Sequence, residues 1–175
     1  AVASATAAVA PQATATPVAQ ATVAPTAGAD GGAAAGGVNE AGGSAIADGT
    51  PEEELTLAAA ADALAFAETE LSAPANTVVR LTFENQNDLG VQHNWVLVDG
   101  GDDVAASVNE AAQDNSAALF VPPTGTDGAL AYTAMLNVGQ SGEVVFTTPD
   151  AGTYTYICTF PGHYLGGMVG VLTVE

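Results

Sequence analysis

Alternating apolar and polar positions divide the later part of the chain into short segments that predict β-strands. The clearest lies at 77–83, where Val79, Leu81 and Phe83 share one face. Residues 101–119 instead place apolar side chains at helical spacing after two aspartates, which predicts one short helix. The other predicted strands lie at 55–60, 63–67, 93–98, 131–137, 142–148, 153–158 and 168–174.

Short strands separated by Gly and Pro turns, with one helical insertion, are typical of a Greek-key β-sandwich, so we predict an all-β fold. Residues 1–52 differ: they are mostly Ala, Thr, Val, Pro and Gly, and they lack aromatic side chains. Such a segment buries too little apolar surface to offset its ordering entropy. We therefore interpret 1–52 as a disordered linker or tether and 53–175 as the folded domain.

The charge of the chain is strongly negative, with 1 basic side chain against 20 Asp and Glu and a formal net charge of -19. This charge disfavours nucleic acids and anionic lipid surfaces as partners. It would steer basic protein surfaces toward the chain, or it would only keep the chain soluble. We expect a monomer whose contact with a membrane is limited to the N-terminal tether, because no apolar run is long enough to span one.

Side chains with soft or borderline metal-binding atoms are few: 2 His, 1 Cys and 2 Met. Cys158, His163 and Met168 follow the spacing C-x4-H-x4-M in a loop rich in Pro and Gly, and His93 begins a different predicted strand. A thiolate, two imidazoles and a weak thioether are the ligands of a blue-copper site, whereas a thioether is a poor zinc ligand. The sequence therefore predicts one copper ion held by these four residues.

Each ligand also has a plainer interpretation. A lone Cys is often a small buried hydrophobe, Met168 could be core, and His93 or His163 could be an ordinary buried or exposed histidine. Four such coincidences together are improbable, so we favour the metal site. For Met135 and Trp95 the core interpretation is the better one.

The segments CTFPGH at 158–163 and HNWVL at 93–97 resemble the two ligand motifs of the azurin branch of the cupredoxins. The longer run YICTFPGHYL at 156–165 is similar to the auracyanins of filamentous photosynthetic bacteria. The resemblance implies an eight-stranded cupredoxin domain that carries single electrons on the periplasmic or outer face of the cell membrane. Its partners would be redox proteins: a quinol-oxidising complex on one side and cytochrome c or a reaction centre on the other.

The resemblance also implies residue roles: His93, Cys158 and His163 as equatorial ligands and Met168 as the axial one. Asn94 would join the two ligand loops, and the backbone N–H of Phe160 would point at the thiolate. Azurins have Gly where this chain has Gln92, and three rather than four residues between the second His and the Met. A site nearer four-coordinate is therefore expected, with Gln92 beside it.

Electrons would pass through the edge of His163, surrounded by an apolar docking patch of Leu89, Val91, Pro161, Tyr164 and Leu165. An enzyme is not expected, because copper oxidases need further histidines and both are already used. Two alternatives stay open: a periplasmic copper carrier or chaperone, and a metal-free tethered interaction domain.

Overall fold

A computed structural model describes residues 41–175, which fold into two β-sheets and one α-helix. The three-stranded sheet has the order β1-β3-β6 and contains β1 (Glu53–Ala58), β3 (Val78–Glu84) and β6 (Ser141–Thr147). The five-stranded sheet has the order β2-β8-β7-β4-β5 and contains β2 (Glu70–Ala73), β4 (Val96–Val98), β5 (Ala129–Tyr132), β7 (Gly152–Ile157) and β8 (Val169–Val174). Helix α1 (Asp102–Gln113) and a 3₁₀ turn (Ser116–Ala118) connect β4 to β5. The predicted β-sandwich with one helical insertion is confirmed.

The main core lies between the two sheets. Val79, Leu81 and Phe83 of β3 alternate with partly exposed neighbours and are themselves fully buried, as the sequence pattern predicts. A second apolar cluster lies on the other face of the five-stranded sheet, where α1 packs through Ala105 and Val108. Strand β4 is therefore covered on both faces and reads as a continuous apolar run rather than an alternating one.

Two of the predicted strands need correction. Residues 63–67 form bends with a single bridge between Phe66 and Ala59, because 61–64 are exposed and only Phe66 is buried. The strand that pairs with β8 follows at β2, where the sequence pattern gave no signal. The strand predicted at 93–98 starts only at Val96, and His93 makes an isolated bridge to Leu136.

The predicted helix and the strand at 131–137 are shorter than expected. Helix α1 ends at Gln113, and the chain then makes the 3₁₀ turn before a left-handed turn at Leu119 and Phe120. Strand β5 ends at Tyr132, although Leu136 still pairs with His93. Trp95 and Met135 are buried in the core, as predicted.

The predicted linker lies mostly outside the described residues, which begin at 41, and the boundary at 52/53 stays a prediction. The described part of it pairs with strands of both sheets. Gly42 forms an antiparallel bridge with Tyr132 of β5, and Ile46 forms one with Phe146 of β6. Residues 42–47 therefore join the open edges of the two sheets. In the described part of the chain, no helix combines the length and the apolar character that crossing a bilayer requires.

Candidate metal centre

Three adjacent strands bring the predicted ligands to one end of the sandwich. Ile157, the last residue of β7, pairs with Val96 at the start of β4 and with Val169 at the start of β8. The residues that follow β7 and those that precede β4 and β8 must therefore lie at the same sheet end. These are Cys158, His93 and Met168, and the turn after Cys158 carries His163.

The donor atoms of three ligands converge in the structure. His93 Nδ1 lies 3.1 Å from His163 Nδ1, and Cys158 Sγ lies 3.7 Å from the first nitrogen and 3.5 Å from the second. His93 and Cys158 are fully buried, while His163 keeps 4% exposure. Among the described residues, this is the group of His, Cys, Asp and Glu side chains that is arranged to hold a metal ion.

Met168 is fully buried at the head of β8 and is tied to the other ligands through its main chain. Its N–H donates to the carbonyl of His163 (2.9 Å), and its carbonyl accepts from the N–H of Cys158 (3.3 Å). These two hydrogen bonds close the ligand loop, which runs from Cys158 to Met168.

Burial sets the protonation of all three converging ligands. It lowers the pKa of His93 to about 4, with a further lowering from His163, and it also lowers the pKa of His163. Burial raises the pKa of the Cys158 thiol to about 12, opposed by hydrogen bonds from the backbone N–H groups of Asn94 and Phe160. At neutral pH the metal-free site therefore holds two neutral imidazoles and a protonated thiol.

This donor set fits copper. Two neutral imidazole nitrogens 3.1 Å apart face one another beside a sulfur, so a cation that accepts all three lone pairs would satisfy them together. Sulfur and imidazole donors suit Cu(I), and a buried thioether is the weak axial partner found in blue-copper sites. His93, Cys158 and His163 would hold the ion, with Met168 beside them.

Asn94 links the two ligand-bearing loops. Its Oδ1 accepts from the N–H of Thr159 (2.9 Å), and its Nδ2 donates to the Thr159 hydroxyl (2.8 Å). Both residues are fully buried. The residue after His93 and the residue after Cys158 are thus held together, which fixes the relative position of the two ligands.

The sequence analysis missed two buried asparagines, Asn85 and Asn87, in the loop that leads from β3 to His93. Asn87 Oδ1 accepts from the N–H groups of Leu89 (2.9 Å) and Val91 (3.4 Å), and its Nδ2 donates to the carbonyl of Val91 (2.8 Å). Asn85 also donates to the carbonyl of Val91 (2.9 Å). The spacing Asn-x-Asn before Asp-Leu-Gly is typical of side chains that shape turns, and it could have identified them.

The remaining predicted residues lie around the centre. Gln92 donates to Asn137 Oδ1 (2.9 Å), so this hydrogen bond joins two surface loops. The ring of Phe160 lies 4.7 Å from that of His163. In the predicted docking patch, Leu165 is 83% exposed and Leu89 is 48% exposed, Pro161 is exposed, and Val91 and Tyr164 are partly exposed.

Two further exposed apolar residues border the same end of the sandwich. Val138 follows Asn137, the partner of Gln92, and Leu119 precedes Phe120, whose ring contacts Phe160. Both lie far from the ligands in sequence, so spacing alone could not have found them.

Comparison with known proteins agrees with this geometry. Residues 53–175 match the family model of copper binding proteins of the plastocyanin/azurin family. Auracyanin-B of Chloroflexus aurantiacus is 68% identical over 136 residues, which cover 78% of this chain and 58% of that protein. The chain thus spans little more than half the length of this relative.

Solved structures give the same likeness. A structure of auracyanin B matches with a TM-score of 0.78 over 78% of this chain and 99% of that one. Dithionite-reduced auracyanin from Roseiflexus castenholzii is 39% identical and matches with a TM-score of 0.67 over 72% and 99%. Auracyanin A, a "blue" copper protein of Chloroflexus aurantiacus, is 39% identical and matches with a TM-score of 0.62 over 70% and 98%.

Proposed function

Because the chain belongs to the plastocyanin/azurin family of copper-binding proteins, we propose that it is a one-electron carrier that exchanges electrons with other redox proteins. One copper ion is its cofactor, and when bound it supplies a Cu(II)/Cu(I) couple. The convergence of two imidazoles and one thiol within hydrogen-bonding distance, all buried, is the observation that carries this proposal.

The protein's part in electron transfer is to keep the ligands in one geometry. The converging nitrogens and sulfur already lie together in the structure, held by the main-chain bonds of Met168 and by the bonds of Asn94 to Thr159. Ligands that do not move between oxidation states keep the reorganisation cost of electron transfer small. Burial also excludes water from the Cys158 sulfur.

His163 is the proposed route for electrons. Of the two histidines it alone retains exposure, and the proposed apolar patch of Leu89, Val91, Pro161, Tyr164 and Leu165 would surround it. A small apolar surface bordered by charge suits a brief redox encounter. Asp102 and Asp103 lie at this border, since the Tyr164 hydroxyl donates to the carbonyl of Asp102 (3.2 Å). The partner surface should therefore be basic.

From the same resemblance we extend the proposal to a photosynthetic or respiratory setting. We propose a position on the outer face of the cell membrane, between a quinol-oxidising complex and a cytochrome c or reaction centre. The similarity to auracyanins of photosynthetic bacteria supports this placement. Residues 1–52 would serve as the tether, apart from 42–47, which pair with the two sheets.

Burial of the ligands argues against the alternative of a copper carrier or chaperone. Such proteins pass the metal on by ligand exchange, which requires exposed donors, whereas Cys158 and His93 have no exposed surface. Slow removal of copper by a chelator is therefore expected. Rapid removal would favour the carrier.

The proposal is tested first by absorption and EPR spectroscopy after Cu(II) is added to the metal-free protein. The wild type should show an intense thiolate-to-copper band and narrow hyperfine splitting, and Cys158→Ser should lose both completely. Met168→Leu should shift the band and the potential, while Met135→Leu, buried in the α1 cluster, should leave them unchanged. Weak tetragonal copper signals in the wild type would overturn the proposal.

A second test addresses the docking patch. Leu165→Ala should slow electron transfer to a basic cytochrome c about fivefold, because it removes the most exposed apolar contact of the patch. Ile46→Ala is the matched control, since Ile46 is 43% exposed but bridges Phe146, which pairs with Val79 at the end of β3 away from the ligands. Equal electron-transfer rates for the two variants would show that the patch does not contribute to docking.

A further inference from the structure

Thr159, the residue after the Cys158 ligand, uses each of its polar groups to bind a different part of the chain. Its N–H donates to Asn94 Oδ1 (2.9 Å), and its hydroxyl donates to the carbonyl of Phe120 (2.7 Å). Its carbonyl accepts from Gln113 Nε2 (2.8 Å). Two of these three partners belong to the helical insertion between β4 and β5.

A second contact joins the insertion to the ligand loop. The ring of Phe120 meets that of Phe160 edge to face, with centroids 6.1 Å apart and an interplanar angle of 73°. The ring of Phe160 in turn lies 4.7 Å from that of His163. Phe120 therefore contacts two consecutive residues of the ligand loop just before its turn, Thr159 by its carbonyl and Phe160 by its ring.

The backbone that presents Phe120 is strained. Leu119 has a φ of 54° and Phe120 a φ of 62°, so two consecutive residues that are not glycine occupy the left-handed region. Asn115 holds this turn: its carbonyl accepts from the N–H of Phe120 (3.2 Å), and its Nδ2 donates to the carbonyl of Val121 (2.9 Å). Strain of this kind persists only where the surroundings fix it.

We propose that the helical insertion is a positioning element for the metal-ligand loop. In this proposal Gln113 and the left-handed turn at Leu119 and Phe120 hold Thr159, and through it Cys158 and His163, in the ligand geometry. The inference rests on the proposed function, because a rigid ligand loop matters for electron transfer at copper. Gln113 and Phe120 are positioning residues, since neither side chain belongs to the converging ligands.

Amide hydrogen exchange in the metal-free protein tests this inference. Gln113→Ala should speed exchange at the N–H groups of Thr159 and His163 by about two- to tenfold, the effect of losing one hydrogen bond of ordinary net strength. The amide of Ala67, which donates to the carbonyl of Ala58 (2.9 Å) in the bends between β1 and β2, reports a local opening that leaves the Gln113–Thr159 bond intact, so its exchange should not change. Glu110→Ala, an exposed position of the same helix, is the control and should match the wild type throughout.

Two results would overturn the inference. One is unchanged exchange at Thr159 and His163 in Gln113→Ala. The other is acceleration of the same size at Ala67, which would show that Gln113→Ala loosens the domain generally and not the ligand loop.

In a second variant, positioning and global stability are expected to change in opposite directions. Leu119→Gly relieves the strained φ, so the midpoint of global unfolding should stay constant or rise, whereas the exchange of the Thr159 amide should become faster. Slower or unchanged exchange at Thr159 would contradict the proposal. The Leu119 side chain is 39% exposed, so its loss leaves no large cavity.

The same variants distinguish this inference from the proposed function. Exchange in the metal-free protein does not depend on copper. Weak tetragonal copper signals in the wild type would therefore end the functional proposal, while the exchange experiment would still test this inference. A blue-copper spectrum with wild-type exchange in Gln113→Ala would end this inference alone. If the functional proposal and this inference are both correct, Gln113→Ala should also lose copper to a chelator faster than Glu110→Ala does.

Discussion

At the scale of single residues, the metal centre is a set of groups that burial keeps uncharged in the metal-free protein. His93 is fully buried next to a second imidazole, and Cys158 is fully buried next to both. Ligand protons must leave for the metal to bind, which couples metal affinity to pH. The metal-free protein should therefore respond to acid through the histidines.

The stability of the metal-free protein should fall as the pH drops from about 6.5 to about 4. His93 has a pKa of about 4 when folded, against 6.5 for an ordinary histidine, so the unfolded state binds more protons between these values. The loss should be about 1.4 kcal/mol per pH unit for each histidine that stays neutral. Urea unfolding of the wild type and of His93→Gln checks this, and parallel losses in the two proteins would contradict it.

At the scale of elements, the loop before β4 depends on its buried asparagines. Asn87→Ala would leave the backbone N–H of Leu89 and the carbonyl of Val91 without this partner, so the free energy of unfolding should drop by about 1–3 kcal/mol. Gln86→Ala, at the exposed neighbouring position, should change it little. Denaturant unfolding of both variants measures the difference, and similar losses would show that the loop does not rely on Asn87.

The ligand motifs were predictable because chemistry restricts them strongly. Cys158, His163 and Met168 lie close in sequence, and few other side chains could serve. Strand β3 was equally predictable, since its alternation of buried and partly exposed residues is regular. Local pattern contains less information where tertiary packing decides the structure. Strand β2 forms because β8 offers an edge for pairing, and Phe66 is buried without a strand around it.

The contacts that support the ligands were less predictable than the ligands themselves. Gln113 and Thr159 lie 46 positions apart, and neither residue type signals a role by itself. Their meeting depends on the packing of α1 against the five-stranded sheet and on the left-handed turn that follows. Such turns are usually indicated by Gly or Asn, whereas Leu119 and Phe120 give no such indication.

At the scale of the whole molecule, negative charge dominates. Arg80 is the single basic side chain, and it pairs with Glu54 (3.1 Å) and Glu143 (3.7 Å) on the outer face of the three-stranded sheet. These pairs are exposed and contribute little to stability. Nearly all of the acidic side chains thus lack a basic neighbour, and the field they create extends over the surface.

The location of charge should matter more than its amount. Replacing Asp102 and Asp103 by Asn should slow association with a basic cytochrome c by about two- to tenfold and weaken its salt dependence, since both flank Tyr164 in the patch. Replacing Glu52 and Glu53 by Gln removes the same charge beside the start of β3. This position is about 17 Å along the strand from the end of β3 that leads toward His93. Stopped-flow kinetics at several ionic strengths compares the two pairs. Equal slowing by both would indicate that only net charge acts.

The segment that joins the two sheet edges also decides how the domain would respond to tension. The N–H groups of Gly42 and Ala45 donate to β5, and that of Ala47 donates to β6, in a stretch next to residue 41. A force applied to the chain at residue 41 would break these few hydrogen bonds one after another before it acted on β1. The segment would peel away first and lengthen the chain, and the ligand-bearing strands would keep their pairing while it did so.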